Sequence, residues 1–266
     1  MFVIAENINV MSGTIGAALK ARDKAPLQDL AKRLVAAGAD ALDVNLGPAR
    51  TDGVDLMTFA VDALAEVVSC QLCLDTTNAA AMEAGIIRCQ EMGLPRPIVN
   101  SFSLQSDKLR GILPLAAEYG CDIIGLTMEG SIPITAADRL NLAFELVAAA
   151  NDAGISNDRI LIDPVVLPLG VDVGQQHAAA VQEVVATLPH MFDPPVRSVC
   201  GLSNISNGAP EHVRPAINNV FIAMLAALGL SAVIADALDG EAMRTVRLVR
   251  ALTDQSLYSV SDAELQ

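Results

Sequence analysis

Short apolar runs alternate with longer Ala-rich stretches along most of the chain. Each apolar run ends in polar residues and predicts a strand, and the apolar residues between the runs recur at helical spacing. The eight predicted strands are FVIAENI (2–8), ALDVNL (41–46), QLCLDTT (71–77), PIVNSF (97–102), DIIGLTM (122–128), RILIDPV (159–165), SVCGLSN (198–204) and SAVIADA (231–237). Residues 27–38, 137–154 and 219–229 give the clearest helical patterns.

The order of these elements predicts an α/β fold with a parallel sheet. Eight strand-then-helix units without a hairpin signal favour a closed (β/α)8 TIM barrel, with an open, doubly wound sheet as the alternative. The length of 266 residues fits one such domain over residues 1–266, because a barrel of this kind takes roughly 250 residues. Gly38, Gly120, Gly154 and Gly229 stand just before predicted strands, where glycine ends the preceding helix.

The composition narrows the class of partner. The formal charge of −14 is opposite to what a nucleic-acid-binding surface needs. We find no apolar run of 18 residues and no signal-peptide pattern, so we expect a cytoplasmic protein outside the membrane. Aromatic residues make up only 3% of the chain, and Ala, Val, Leu, Ile and Met must therefore build the core.

The five cysteines do not indicate a disulfide framework or a metal site. Cys70 and Cys73 form a C-x-x-C pair, but both lie on a predicted strand, where side chains three residues apart point to opposite faces. We therefore interpret them as buried thiols and assign no metal ligands.

Polar residues gather where the predicted strands end. In a barrel these ends meet at one mouth, which is where active sites of this fold lie. The alternative is that each Asp or Asn only starts a turn or caps the next helix. The residues concerned are Glu6, Asn7, Asn9, Asp43, Asn45, Asp75, Asn78, Asn100, Ser101, Thr127, Met128, Asp163, Ser203, Asn204 and Asp236.

This set contains carboxylates and carboxamides but no His, Cys or Lys, which disfavours a zinc site or a nucleophile. It suits a heterocycle with adjacent donors and acceptors. A pterin presents its amino and ring N–H groups in the same direction, where one carboxylate accepts both, and it would satisfy otherwise unpaired acids. His190 and His212 are expected to be structural or at the surface, and His177 is not expected to be catalytic.

Five segments in this order and at these intervals resemble the pterin-binding methyltransferases, most closely the 5-methyltetrahydrofolate:corrinoid/iron–sulfur protein methyltransferases. The segments are LCLDTTN, IVNSFS, GLTM, LIDPVVLPLG and GLSNIS, within a similarity that runs from IAENINVM to VIADALDG. The resemblance implies a homodimer of barrels that binds 5-methyltetrahydrofolate or tetrahydrofolate as substrate and takes a corrinoid (cobalamin) protein as partner.

The resemblance also implies roles for individual residues. Asp75, Asn100 and Asp163 match the residues that bind the pterin, and Asn204 matches a mobile residue near N5. Gly201 and Ser203 would shape the pocket, and Arg214 would bind the rest of the folate.

Transfer of a methyl group from N5 needs a hydrogen bond or proton at that tertiary amine as the C–N bond breaks. We therefore expect Asn204 to donate to N5 and Asp75 to assist through a shared network. The same chemistry can run in reverse, from methyl-corrinoid to tetrahydrofolate, in an O- or N-demethylase system. Dihydropteroate synthase, a methionine synthase folate module and a non-catalytic pterin-binding module are the remaining alternatives.

Overall fold

The computed structural model describes residues 1–253 and 255–264, apart from the side chain of Lys108. Eight parallel strands form a closed barrel in the order of the sequence, and β8 pairs with β1. The strands are β1 (Phe2–Asn9), β2 (Ala41–Gly47), β3 (Gln71–Thr76), β4 (Ile98–Phe102), β5 (Asp122–Leu126), β6 (Ile160–Asp163), β7 (Arg197–Gly201) and β8 (Ala232–Ala235). The (β/α)8 prediction is therefore confirmed.

Helices surround the barrel and follow the strands in turn. They are α1 (Gly13–Ala21), α2 (Lys24–Ala36), α3 (Gly53–Ala65), α4 (Ala79–Glu91), α5 (Ser106–Gly111), α6 (Leu113–Glu118), α7 (Ala136–Asp152), α8 (Gly174–Thr187), α9 (Arg214–Ala227) and α10 (Gly240–Leu252). Short 3-10 turns occupy Asn157–Arg159, Leu188–His190, Leu202–Ser206, Glu211–Val213 and Val260–Ala263. Among the described residues, no helix combines the length and the apolar character needed to cross a membrane.

Most predicted strand boundaries agree with the structure within two residues. Four predicted strands nevertheless run past the observed ends, those over 122–128, 159–165 and 231–237 by two residues and the one over 198–204 by three. Their last residues belong to the loops: after β6, for example, Pro164 has no N–H to donate to the ladder and Val165 has a φ of 63°. Ser203 and Asn204 consequently lie in the 3-10 turn Leu202–Ser206 and not in β7. Helix α9 begins before the predicted residue 219, since Pro215 is tolerated in its first turn.

The glycines that precede strands behave as predicted. Gly38 and Gly154 follow α2 and α7 with φ values of 102° and 88°, in the region that glycine enters without a steric penalty. The chain thereby leaves each helix and turns back toward the next strand.

One apolar cluster lies inside the barrel and takes one residue from each strand: Ile4, Ala41, Cys73, Ile98, Ile124, Leu161, Val199 and Ala232. A second, larger cluster joins the outer faces of the strands to the helices. Because side chains alternate between the two faces of a strand, the residue two positions after each inner residue lines the barrel nearer its carboxyl mouth.

Candidate active site at the barrel mouth

Strand alternation places acids and amides directly above the inner apolar cluster. On five strands the residue two positions after the inner residue is polar and half-buried or buried, namely Glu6, Asp43, Asp75, Asn100 and Asp163. On β7 the same position is Gly201. These polar residues therefore meet at one end of the barrel, above its packed interior.

The side chains of β2, β3 and β4 form a connected floor. Asn100 Nδ2 donates to Asp43 Oδ1 at 3.3 Å, and Asn45 Nδ2 donates to Asp75 Oδ2. The backbone N–H of Gly47 donates to Asn45 Oδ1 at 3.0 Å and so orients that amide. Each of the two aspartates is thus held by a neutral carboxamide from another strand, Asp75 by Asn45 of the adjacent β2 and Asp43 by Asn100 of β4, across β3.

Asp43 is the most buried acid of this floor, with 3% of its surface exposed. Burial, followed by the negative charge of Asp75, raises the pKa of Asp43 to about 8, against hydrogen bonds with Cys73 and Asn100 that lower it. Burial likewise raises the pKa of the Cys73 thiol well above its ordinary value. At neutral pH the floor therefore retains a proton that water would remove from an ordinary aspartate.

Asp163 ends β6 on another side of the mouth. Its Oδ1 accepts the backbone N–H of Val165 at 2.7 Å, and its main-chain oxygen accepts from the N–H of Thr127 at 3.0 Å. Burial raises the pKa of Asp163 to about 6, although the Val165 hydrogen bond and the charge of Arg139 oppose this change. The carboxylate is fixed in place yet remains close to its titration point.

Glu6, on β1, contacts the turn that follows β7. Ser203 Oγ donates to Glu6 Oε1 at 2.5 Å. Burial raises the pKa of Glu6, Ser203 lowers it, Asp236 raises it further, and the charge of Arg214 lowers it. Ser203 and Arg214 therefore approach the same acid.

Asn204 lies directly over Gly201. A Cβ placed on Gly201 would be 3.1 Å from Asn204 Nδ2, so only glycine leaves that amide its present position. Asn204 itself is exposed. Arg214 begins α9, and its Nε is 3.4 Å from Ser206 Oγ in the same turn as Asn204.

Two strand-end residues bind backbone groups of turns, helix ends or adjacent loops, and Asn78 Nδ2 also donates to the carbonyl of Ala49 at 2.8 Å. Asn78 caps α4, because its side chain accepts from the N–H groups of Ala80 and Ala81 at 3.1 and 3.2 Å. Asn9 accepts from the N–H of Met11 at 2.8 Å. For these two residues the capping and turn interpretation accounts for the side chain.

The structure brings the predicted residues together and adds three more. Asp75, Asn100, Asp163, Gly201 and Ser203 line one mouth, with Asn204 and Arg214 at its edge. Asp43, Asn45 and Glu6 belong to the same site but were not among the predicted ligand-binding residues. All three are among the polar strand-end residues identified in the sequence. Strand alternation could have shown that Glu6 and Asp43 face the barrel interior, as Asp75 and Asp163 do.

The cysteines and histidines lie largely where we expected them. Cys73 is buried inside the barrel, whereas Cys70 packs on the outer cluster, and all five cysteines are free thiols. His190 and His212 are exposed. His177, in contrast, is buried on α8, with 4% of its surface exposed.

A cavity of about 500 Å³ adjoins the mouth between the loops that follow β6 and β7. Its lining is mainly apolar backbone and side chain, including Leu169, Val171, Ile205 and Ile217. Ile205 belongs to the same 3-10 turn as Asn204, and Leu169, Ile205 and Ile217 also line an apolar groove beside α8 and α9.

Fold and geometry define a (β/α)8 barrel with an acid- and amide-rich site at the carboxyl ends of its strands. The chain belongs to the family described as pterin binding enzyme, whose model matches residues 6–236.

Similarity to individual proteins extends over most of the chain. It is 26% identical over 255 residues to the methylcorrinoid:tetrahydrofolate methyltransferase of Eubacterium limosum, covering 95% of this chain and 91% of that protein. It is 27% identical to the methionine synthase of Mycobacterium tuberculosis, covering 89% of this chain but 20% of that protein. A dihydropteroate synthase structure from Yersinia pestis has the same fold, with a TM-score of 0.69 at 20% identity over 96% of this chain and 94% of that one.

Proposed function

We propose that this protein transfers a methyl group between N5 of tetrahydrofolate and the cobalt of a corrinoid carried by a partner protein. The observation that carries the proposal is the ring of acids and amides at the mouth, in which Glu6, Asp43 and Asp163 have neutral hydrogen-bond partners. A family relationship to pterin binding enzymes and similarity to a methylcorrinoid:tetrahydrofolate methyltransferase support it.

A pterin ring suits these groups chemically. Its amino group and adjacent ring N–H form a pair of parallel donors, and a carboxylate such as Asp163 or Asp75 accepts both. Asn100 already donates one amide N–H to Asp43, so its amide is oriented for a ring edge that has both donors and acceptors. Burial raises the pKa of Asp163 to about 6, so near pH 7 this carboxylate is mostly ionised and can accept the two N–H groups.

The methyl transfer itself requires help at N5, because a tertiary amine is a poor leaving group. As the N5–CH3 bond breaks, the electron pair stays on N5, and a donor that bonds more strongly to N5 at that moment lowers the barrier. Asn204 is the carboxamide we assign to this role, with Asp75 supporting it through the Asn45 network. The partner's corrinoid, once docked over the mouth, supplies the cobalt that accepts or returns the methyl group.

The same site serves both directions, since the forward and reverse reactions share one transition state. Donation from methyltetrahydrofolate and demethylase-type delivery to tetrahydrofolate thus differ in the partner proteins and not in this pocket. The Eubacterium limosum relative is named for transfer from methylcorrinoid to tetrahydrofolate. Initial rates measured in both directions with the natural partner will assign the physiological one.

Dihydropteroate synthesis is a weaker candidate on the evidence of charge. That reaction releases pyrophosphate, which requires Lys or Arg side chains near the leaving group. Residues 202–213 after β7 and 236–239 after β8 contain neither, and Arg214, which follows, is a single cation that we assign to the folate tail. Similarity to dihydropteroate synthase structures at about 20% identity therefore concerns the fold.

We assign the rest of the folate to the cavity of about 500 Å³ beside the mouth. Arg214, at the start of α9, is the cation we propose for the carboxylate-bearing tail. A corrinoid protein, of the iron–sulfur type or another, would cover the mouth from above.

We further propose a homodimer that associates through α8 and α9. These helices border an apolar groove of about 420 Å³. Val220 and Met224 on α9 are 61% and 44% exposed, which is unusual for large apolar side chains on one helix face. Light scattering should give the mass of two chains, and Val220→Glu should return a monomer. The free thiols suit a reducing compartment such as the cytoplasm.

The test of the function is methyl transfer from 5-methyltetrahydrofolate to Co(I) cobalamin, followed by the cobalt absorption spectrum. We expect a spectral change that requires both enzyme and methyltetrahydrofolate. If the protein binds folate tightly but transfers no methyl group, either to free cobalamin or to corrinoid proteins, it is a non-catalytic module. Absence of folate binding would overturn the assignment of the mouth as a pterin site.

A further inference from the structure

Arg139 is the largest fully buried side chain among the described residues, and it lies outside the set of groups assigned above. It is on α7, at 0% exposure, where the sequence places it on the same helix face as Ala143, Leu146 and Val147. Burying a cation costs free energy unless its donors are paired, so the partners of this guanidinium show what it does in the structure.

Its N–H groups hold the loops that follow two neighbouring strands. Nε donates to the carbonyl of Pro133, in the loop after β5, at 2.8 Å. Nη1 donates to the carbonyls of Pro164 and Val165, in the loop after β6, at 2.6 and 3.1 Å. One planar group therefore holds the backbone of the loops after β5 and β6, which flank Asp163 at the mouth.

His177 completes the arrangement from α8. Its Nδ1 is 2.5 Å from Arg139 Nη2. A guanidinium only donates hydrogen bonds, so Nδ1 must accept and the imidazole must carry its proton on Nε2. His177 thus acts as a neutral acceptor that fixes the rotation of the Arg139 side chain.

The loop that Arg139 holds is the one that orients Asp163. Val165 has a φ of 63°, a costly conformation for a β-branched residue, and its N–H donates to Asp163 Oδ1 at 2.7 Å. The carbonyls on both sides of that N–H accept from Arg139. The guanidinium therefore binds both carbonyls that flank the N–H donated to Asp163 Oδ1.

We propose that Arg139, oriented by His177, is a positioning residue for the pterin site. It holds the Pro164–Val165 segment so that Asp163 faces the pterin ring in the geometry that accepts its two N–H groups. This inference rests on the proposed function, because it assigns Asp163 to the ring. Arg139 contacts no substrate atom in this scheme, and its effect on binding passes through Val165 and Asp163.

The test compares paired variants by calorimetry with 5-methyltetrahydrofolate. Arg139→Lys keeps the charge but loses the fork that spans two carbonyls, and we expect roughly 10- to 100-fold weaker binding, as for the loss of a charge-assisted hydrogen bond. His177→Leu should weaken binding about tenfold, whereas His177→Asn, which restores an acceptor, should stay within about threefold of the wild type. Leu146→Ala removes buried apolar volume from the same helix and serves as the matched stability control.

Two further readouts separate positioning from general damage. Deuterium exchange of a peptide spanning residues 164–173, measured without folate, should accelerate in Arg139→Lys and His177→Leu but not in Leu146→Ala. The pH at which folate binding weakens should move upward in Arg139→Met, because the charge of Arg139 lowers the pKa of Asp163.

The outcomes are distinguishable. If the wild type fails to bind folate, the proposed function is wrong, and the exchange experiment still reports whether Arg139 holds the loop. If Arg139→Lys and His177→Leu fold and bind folate as the wild type does, the positioning role is wrong. If the Arg139 variants do not fold, the His177 pair decides: equal affinity of His177→Leu and His177→Asn overturns the proposal.

Discussion

Two aspartates at opposite ends of the barrel are equally buried but have different surroundings. Asp43 at the mouth and Asp122 at the base are each 3% exposed. Asp122 pairs with Arg96 Nε at 2.9 Å and Arg197 Nη2 at 3.4 Å. The partners of Asp43 are an amide and a thiol, and its charged neighbour is a second acid, Asp75.

These surroundings indicate that the acid at the base stabilises the fold, whereas the acids at the mouth are arranged for a ligand. At the base, cations compensate the charge, and the acid ties strands together. At the mouth, the hydrogen-bond partners of Glu6, Asp43 and Asp163 are a hydroxyl, an amide and a backbone N–H, which orient each acid without an ion pair. A matched pair of substitutions, one at each end, should therefore separate binding from stability.

The largest expected effect is on folate binding by Asp163. Asp163→Ala removes a carboxylate that would accept two pterin N–H groups, and the affinity for 5-methyltetrahydrofolate should fall about 100-fold or more. Titration calorimetry measures this directly. Wild-type affinity in the folded variant would contradict the placement of the ring at this acid.

Asn204 should affect transfer more than binding. If its amide strengthens its bond to N5 only as the C–N bond breaks, Asn204→Ala should lower the rate of methyl transfer about 100-fold and change the dissociation constant little. Single-turnover transfer to Co(I) cobalamin gives the rate. Equal losses in rate and affinity would indicate that Asn204 binds the ground state.

At the base, substitution of Asp122 should lower the stability of the fold without changing the affinity for folate. Asp122→Asn leaves Arg96 and Arg197 without their carboxylate, and the free energy of unfolding should fall by about 2 kcal/mol, less than for a fully buried pair because both arginines are partly exposed. Urea denaturation measures the change. Folate affinity of the folded variant should equal that of the wild type, and a tenfold loss would break the distinction between the two ends.

The pH dependence of stability should show the proton held by Asp43. The pKa of Asp43 is raised in the folded chain from 3.8 to about 8, so between these values the folded state binds more protons than the unfolded state. The free energy of unfolding therefore falls as pH rises through this window, by at most about 1.4 kcal/mol per pH unit for one proton.

Asp43→Asn should remove that part of the slope. Urea denaturation at pH 5, 6, 7 and 8 compares the variant with the wild type, and Asp122→Asn serves as the variant with an intact mouth. Parallel pH profiles for Asp43→Asn and the wild type would show that Asp43 does not retain a proton when the chain folds.

Much of the fold could be predicted because it depends on local pattern. Apolar strands, Ala-rich helices and the glycines after α2 and α7 are all encoded within a few residues. The gathering of polar strand ends at one mouth followed from parallel order alone. The predicted end of β7 was wrong. The sequence GLSN looks like the continuation of a strand, but the chain enters a 3-10 turn at Leu202.

Other parts of the site depend on contacts between distant segments. The raised pKa of Asp43 and its hydrogen bond with Asn100 depend on the strand register, which brings Asn100 and Asp75 beside it. That register could not be predicted from the sequence. Arg139 was missed because an arginine within a helical stretch is usually solvated. Its position on the apolar face of α7 was a signal, and only the fold shows the carbonyls and the imidazole that it meets.

We propose that the acids and amides at the mouth hold a pterin ring. A crystal structure with bound 5-methyltetrahydrofolate tests it most directly. We predict that the amino and ring N–H groups lie within hydrogen-bond distance of Asp75 or Asp163, with Asn100 on the same ring edge and N5 toward Asn204. A ring bound elsewhere on the barrel, with these side chains arranged as they are in the free protein, would contradict the account.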